Sequence, residues 1–364
     1  MFTLLFLVAT SGAKKYKGED VFSKKERRVI SILVANNHFK KARVSQSALI
    51  SPSIFTAYLN KLDPYSKYFT AKEMAFKRKR ENKKRLGIGL DLLLSGKKIL
   101  GVPVKGGPAY QAGIKTPSYI CTINQRKIDA SKLASYQFLA KFVAGQNVEV
   151  QTASKKGEKF KLYKIQAKSF TQSHVSIEHL SAYDVLSIRQ FSNDSTIKIK
   201  KHLQSLSPQK PLVIDLRFNP GGDLYATIDT LSFFLKKDIT VAYLKENSNR
   251  APLPLKTVSG QVVLHKKIYI LLSQFTASSA EIFAQAIKHY MPQTVFVGRA
   301  TTGKCLAQKT YLLDNKSAIQ LSVSEVLNAQ KVRCQNKPLT VDINIKNIET
   351  MPLQQVINSL HRLK

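Results

Sequence analysis

Apolar positions along the chain change their spacing, and each change predicts a different kind of element. Within residues 25–62, Val29, Ile32, Leu33, Leu49, Ile54, Tyr58 and Leu59 recur at helical intervals, with a break at Ser51-Pro52. This pattern predicts two or three helices. Near Leu86 the texture shifts to Gly87-Ile88-Gly89-Leu90, a strand-like run over 98–104, a Gly106-Gly107-Pro108 turn, a short helix over 109–112 and a strand over 119–123. A helix over 133–143 and alternation over 148–152 complete a small β-rich module of roughly eighty residues.

From Tyr183 onward, short apolar runs alternate with helical stripes. Strands are predicted over 185–188, 212–216, 239–243 and 268–272, and helices ending near Leu206, over 224–235 and after Ser278. Such alternation predicts an α/β domain with a largely parallel sheet and with its sites at the carboxyl ends of strands. Residues 245–263 are polar and irregular and read as a surface excursion.

Composition narrows the class. A chain of 364 residues with 43% apolar content, 13 prolines and 16 glycines is globular and long enough for two or three domains. Its formal charge of +35, from 58 basic and 23 acidic residues, favours anionic partners or reflects a general basic bias. The run KRKRENKKR over 77–85 reads as a solvated face rather than a nucleic-acid patch. Cys121, Cys305 and Cys334 lack the spacing of a zinc or redox site; free buried thiols are the favoured expectation, with a Cys305–Cys334 bridge left open. Residues 1–13, with an apolar run from Phe2 to Val8 and Ser11-Gly12-Ala13, suit a signal peptide, although a basic leading segment is lacking.

Two stretches carry candidate chemistry. Ile268 to Leu272 leads into Ser273, Thr276, Ser278 and Ser279, with Glu281 and a helical stripe of Ile282, Phe283, Ala286, Ile287 and Tyr290 behind them. A hydroxyl at a helix N-terminus can act as a nucleophile, but Ser278 and Glu281 also have the spacing of a capping box. The other stretch, Arg217-Phe218-Asn219-Pro220-Gly221-Gly222-Asp223, directly follows a strand. It is either an oxyanion-binding turn or an ordinary strand-to-helix connection. No histidine has a recognisable triad setting, whereas Lys304 lies among uncharged residues. To serve as a base it must fall from a pKa of about 10.4 to roughly 7 or 8, at a cost on the order of 3 to 5 kcal/mol.

Taken in order, these segments resemble the C-terminal processing (tail-specific) peptidases, PDZ-containing serine/lysine proteases. The likeness covers residues 62–345. It rests on Leu62-Asp63-Pro64-Tyr65-Ser66, on Gly87-Ile88-Gly89 with Gly107-Pro108-Ala109 and Ala112-Gly113-Ile114, on Asp215-Leu216-Arg217 with Asn219-Pro220-Gly221-Gly222, and on Ser278 through Phe283. The resemblance implies Ser278 as nucleophile, Lys304 as general base, Gln308 as the residue orienting it, and backbone amides of Gly221 and Ser279 as oxyanion donors. It implies a peptide-binding segment over Leu86, Gly87, Ile88, Gly89 and Leu90, and neither metal nor cofactor.

The resemblance also implies an architecture: a crotonase-like (ClpP/crotonase) α/β core over 169–364, an inserted PDZ domain over 85–168 and an N-terminal helical region over 14–84. The expected activity is that of a serine endopeptidase acting on protein or peptide tails in the periplasm or another exported location, membrane-associated or free. The alternative is a silent PDZ scaffold that binds C-termini. An anionic envelope surface is a further expected partner; nucleic acid is not, and a homo-oligomer or activating adaptor is left open. Departures from the family pattern mark a divergent member: Lys115-Thr116-Pro117-Ser118 in the PDZ loop, Cys305 after Lys304, His289 in the helix after Ser278, Asn328-Ala329-Gln330, and Leu339-Thr340-Val341-Asp342.

Overall fold

The computed structural model of the chain describes residues 21–81, 84–130, 142–153, 160–246, 251–258, 260 and 267–361. The expected signal peptide and most of the expected helix over 133–143 lie outside these residues. Two compact units result, one from the N-terminal segment to Ala71 together with 308–323, the other from 72–307 and 324–364.

In the first unit, helix Lys24–Asn37 begins at Ser23, which exchanges capping-box hydrogen bonds with Glu26. Helix Pro52–Leu62 begins at Ser51 with proline in its first turn, where the missing N–H costs nothing. This explains why Ser51-Pro52 interrupts the helical periodicity. Their apolar faces, Ile30, Val34, Phe55 and Leu59, close over Phe22, Leu49, Leu313, Ile319 and Leu321. Residues 318–320 pair antiparallel with Lys67–Phe69. Asp63 lies at the centre of this unit, accepting hydrogen bonds from Ser66 Oγ (2.6 Å), Ser322 Oγ (2.9 Å) and the amides of Tyr65 and Ser66, with His38 Nε2 at 2.9 Å. Burial pushes its carboxyl up, but these hydrogen bonds outweigh burial and hold it well below the ordinary range.

The second unit contains a six-stranded sheet in the order Val175–His179, Asp184–Ile188, Leu212–Asp215, Ile268–Leu272, Val295–Gly298, Ile343–Asn344. All pairs except the first are parallel. Strands Leu212–Asp215 and Ile268–Leu272 are buried at every position, which is why they read as unbroken apolar runs. Helices Asn193–Ser205, Leu224–Leu231 and Ser279–Tyr290 pack through Ile199, Leu203, Ile228, Leu231, Phe283 and Ile287 onto Leu186, Ile214 and Ile270. The stretch expected to be a surface excursion includes strand Leu253–Lys256, paired antiparallel with Thr240–Glu246.

The same unit holds the β-rich module, a second six-stranded sheet whose strands Leu90–Ser95, Lys98–Pro103, Ser118–Ile123, Asn147–Ala153 and Phe160–Gln166 follow one another antiparallel. Ile99, Ile120, Ile123, Val148, Val150 and Ile165 form its separate core.

Candidate active site

Strand Ile268–Leu272 ends in a turn whose hydroxyls have distinct tasks. Thr276 Oγ1 donates to Leu216 O at 2.8 Å, and Ser273 Oγ donates to Arg217 O, so these two hydroxyls fasten the ends of neighbouring strands. Ser279 is buried (4% exposed), with its hydroxyl enclosed and unpartnered. Ser278 is half-buried and has φ 58° and ψ −127°, a conformation that costs a non-glycine residue on the order of 1 to 3 kcal/mol. It is the N-cap of the helix that follows, in a capping box with Glu281. Ser278 therefore combines a strained backbone with the N-cap position of a helix, on a sharp strand-to-helix turn.

Glu281, fully buried, does the work that the capping-box spacing suggested and more. Its Oε2 accepts the amides of both Ser278 (3.0 Å) and Lys304 (2.8 Å), while Oε1 accepts Gly303 N (2.7 Å) and Thr301 Oγ1. One carboxylate oxygen therefore holds the backbones of the candidate nucleophile and the candidate base together. Burial pushes the Glu281 carboxyl up, and the four donors pull against that.

The glycine turn is assembled from the preceding strand. Asp215 and Arg217 form a buried two-point pair (Nε–Oδ1 3.0 Å, Nη2–Oδ2 2.8 Å), and Arg217 Nη1 also donates to Ile348 O (2.9 Å) and Met351 O (3.2 Å). Burial pushes the Asp215 carboxyl up, yet the guanidinium more than reverses this and holds it below its ordinary value. Beyond them, Asn219 O receives Ala277 N at 3.0 Å. A side chain at Gly221 (φ 102°) would stand 2.9 Å from both Ala277 O and Ser278 Cβ, so this turn lies directly against the serine. The Gly221 amide donates to Asn219 Oδ1 at 2.8 Å, whereas among the described residues no hydrogen bond uses the Ser279 amide. Of the two expected oxyanion donors, that of Gly221 is engaged and that of Ser279 has no acceptor among the described residues.

Lys304 is half-buried on a loop gripped from two sides. Glu281 holds one side; on the other, Asn336 N donates to Gly303 O (2.7 Å) and Cys305 N to Gln335 Oε1 (2.7 Å). Cys305 and Cys334 are joined by a disulfide, with Cα atoms 5.7 Å apart, which corrects the expectation of free buried thiols; Cys121 is the free cysteine. Sequence spacing could not reveal the pairing, since Cys305 lies on the lysine loop and Cys334 in an irregular segment 29 residues further on. Gln308 belongs to the first unit, where its Nε2 donates to Tyr65 O at 2.6 Å. The motif containing Asp63 thus shapes the turn that anchors this glutamine, a role that sequence reasoning missed.

In the expected peptide-binding segment, Leu86 is exposed and Gly87 closes strand Lys84–Gly87, which pairs with Lys168–Thr171. Ile88 is buried, and its carbonyl accepts Ala109 N at 2.8 Å. Gly89 has φ 68° and lies against Pro108, and Leu90 begins the next strand. The hairpin that follows reaches the site: Leu100 and Val102 pack with Phe218, which stacks on Phe275 (centroids 6.1 Å apart), and Gln274 Nε2 donates to Ser95 Oγ at 3.1 Å.

The parallel sheet thus brings a strained serine, a glycine turn and a clamped lysine loop to one place. Residues 183–345 match the model of Peptidase family S41. A probable CtpA-like serine protease of Staphylococcus aureus (strain N315) is 26% identical over 301 residues, covering 82% of this chain and 60% of that protein. A namesake from Staphylococcus epidermidis is 26% identical over 287 residues, 78% of this chain and 58% of that protein. The chain thus spans about 60% of the length of the first curated relatives it matches. Among solved structures, a photosystem II D1 C-terminal processing protease superposes with a TM-score of 0.65 at 19% identity, covering 90% of this chain and 94% of its own. A putative S41 protease from Bacteroides fragilis gives 0.64 at 15% identity, with 92% and 97% covered. The fold is that of the S41 proteases.

Proposed function

We propose that the protein is a serine endopeptidase in which Ser278 attacks the scissile carbonyl and neutral Lys304 takes its proton. The observation that carries this reading is the shared Glu281 oxygen, which holds a strained Ser278 and the Lys304 backbone within reach of one atom. Gln308, whose Nε2 donates to Tyr65 O, keeps in this reading the role that the resemblance implies. The Ser279 amide takes the oxyanion first, and the Gly221 amide joins it by leaving Asn219 Oδ1. The leaving amine takes the proton back from Lys304, and water hydrolyses the acyl-enzyme.

The sheet core over 169–364 is read as crotonase-like and the module over 85–168 as a PDZ domain. A substrate tail would add to a strand edge beside the segment Leu86, Gly87, Ile88, Gly89 and Leu90. The Cys305–Cys334 bond supports an exported, oxidising location. Incubation with an unfolded protein tests the whole reading. Wild-type protein should cleave it and should be labelled by a serine-reactive phosphonate, while Ser278→Ala and Lys304→Ala should each abolish cleavage. Tail binding without turnover in the wild type would instead establish the silent scaffold.

A further inference from the structure

Residues 334–339 run alongside the lysine loop and meet it repeatedly. Thr301 N donates to Leu339 O (3.2 Å), and Leu339 N donates to Thr301 Oγ1 (2.8 Å). Two residues on, Gly303 O accepts Asn336 N, and a side chain at Gly303 would stand 3.0 Å from Pro338 N. Two residues further, Cys305 N reaches Gln335 Oε1, and its sulfur is bonded to Cys334. This strap has little structure of its own, with no helix and nothing more than one bridge residue between 329 and 342. Its covalent tie falls on the residue next to Lys304, where both sulfur-bearing residues are buried (1% and 4% exposed).

The loop is therefore held by a carboxylate on one side and by a strap on the other, and the strap is itself secured by one covalent bond. A lysine base needs a fixed loop more than most side chains do. Its long stem has several rotatable bonds, and its proton-accepting nitrogen must meet a single oxygen within hydrogen-bond distance.

We propose that the Cys305–Cys334 bond is a positioning brace for Lys304, so that peptidase activity requires the bond to be closed and follows the thiol–disulfide state of the surroundings. The inference rests on the assignment of Lys304 as base. Opening the brace takes two electrons and two protons: a dithiol reductant attacks one sulfur, the S–S bond breaks, Cys305 and Cys334 become thiols, and the reductant leaves as its disulfide. The strap then keeps only its hydrogen bonds, and the loop samples positions in which the amine misses Ser278.

The test compares the wild type, Lys304→Ala and the double variant Cys305→Ser/Cys334→Ser on an unfolded protein substrate, with kcat and KM separated and melting temperature recorded. Oxidised wild type should show one titratable thiol, from Cys121, after denaturation without reductant. The double variant should remain folded at the assay temperature, lose at least tenfold in kcat and keep its KM within about twofold. Phosphonate labelling of Ser278 should slow in parallel. Wild type reduced with dithiothreitol and checked by circular dichroism should show the same loss, and reoxidation should restore it. Unchanged kcat in the double variant, or a loss that merely follows unfolding, would overturn the brace. Full activity in Lys304→Ala would remove the base assignment and the inference with it, whereas an inactive Lys304→Ala beside a fully active double variant would remove the brace alone.

Discussion

Ser278 and Lys304 donate their backbone amides to the same oxygen of Glu281, at 3.0 and 2.8 Å. The two residues proposed to exchange a proton thus have their backbones set by a third. Glu281→Gln keeps the size but replaces one acceptor by a donor, which then faces an amide N–H. It should lower kcat by about ten- to a hundredfold, equivalent to about 1.4 to 2.7 kcal/mol, with little change in KM. Steady-state kinetics on a folded variant checks this; an unaltered kcat would separate the clamp from the chemistry.

Strain at Ser278 has a separate thermodynamic signature. At φ 58° and ψ −127°, glycine is at ease where serine is not. Ser278→Gly should abolish cleavage yet leave the protein more stable by about 1 kcal/mol, because relieved strain exceeds the added chain entropy. Calorimetry of the variant beside Ser278→Ala, which keeps the strain, makes the comparison. Equal melting temperatures would mean that the turn is relaxed.

Gly222 should tolerate no side chain. At φ 141°, an added Cβ would fall 2.1 Å from Phe191 O, inside the backbone bridge between these residues. Gly222→Ala should destabilise the protein by more than about 3 kcal/mol. A denaturant midpoint within a few tenths of a molar of wild type would contradict this close approach.

Asp63 predicts an acid limit for the first unit. Its folded pKa is depressed, so its stabilising contribution is complete above the ordinary aspartate value of 3.8 and drains away as pH falls through that value towards the depressed one. Asp63→Asn should remove this dependence and cost about 3 kcal/mol at neutral pH, since His38 and two serine hydroxyls lose a charged acceptor. Melting temperatures of both proteins between about pH 3 and 7 give the slopes; parallel curves would refute the assignment.

Arg217 is a fork, not merely a charge. Arg217→Lys keeps the cation but cannot span both oxygens of Asp215 and also reach the carbonyls of Ile348 and Met351. A loss of about 2 to 4 kcal/mol is expected, read by chemical denaturation, because a buried carboxylate is left underpaired.

Much of the sheet was legible because strands buried on both faces must be continuously apolar, as Ile268 to Leu272 are. Leu253–Lys256 was missed for the opposite reason: Pro254 and the exposed Leu253 belong to an edge strand, where neither alternation nor an unbroken apolar run is required. Around Ser278 the spacing to Glu281 was visible, but its meaning was not. A local capping contact and a long-range grip on Gly303 and Lys304 share one sequence signature. The hold of Asn219 on Gly221 and that of Tyr65 on Gln308 depend on turns and on distant chain segments, which periodicity does not encode.

The core of the first unit draws on Phe22, Ile30 and Phe55 at one end of the sequence and on Leu313, Ile319 and Leu321 far along it. During synthesis the early helices emerge long before the strand residues that complete their packing, so they must remain loosely associated until translation has passed residue 323. A ribosome stalled before that point would hold a chain whose sheet strands through Val295–Gly298 have all been made, but in which Gln308 has no finished unit to sit in. The first residues would then wait for segments made about three hundred residues later before their core could close.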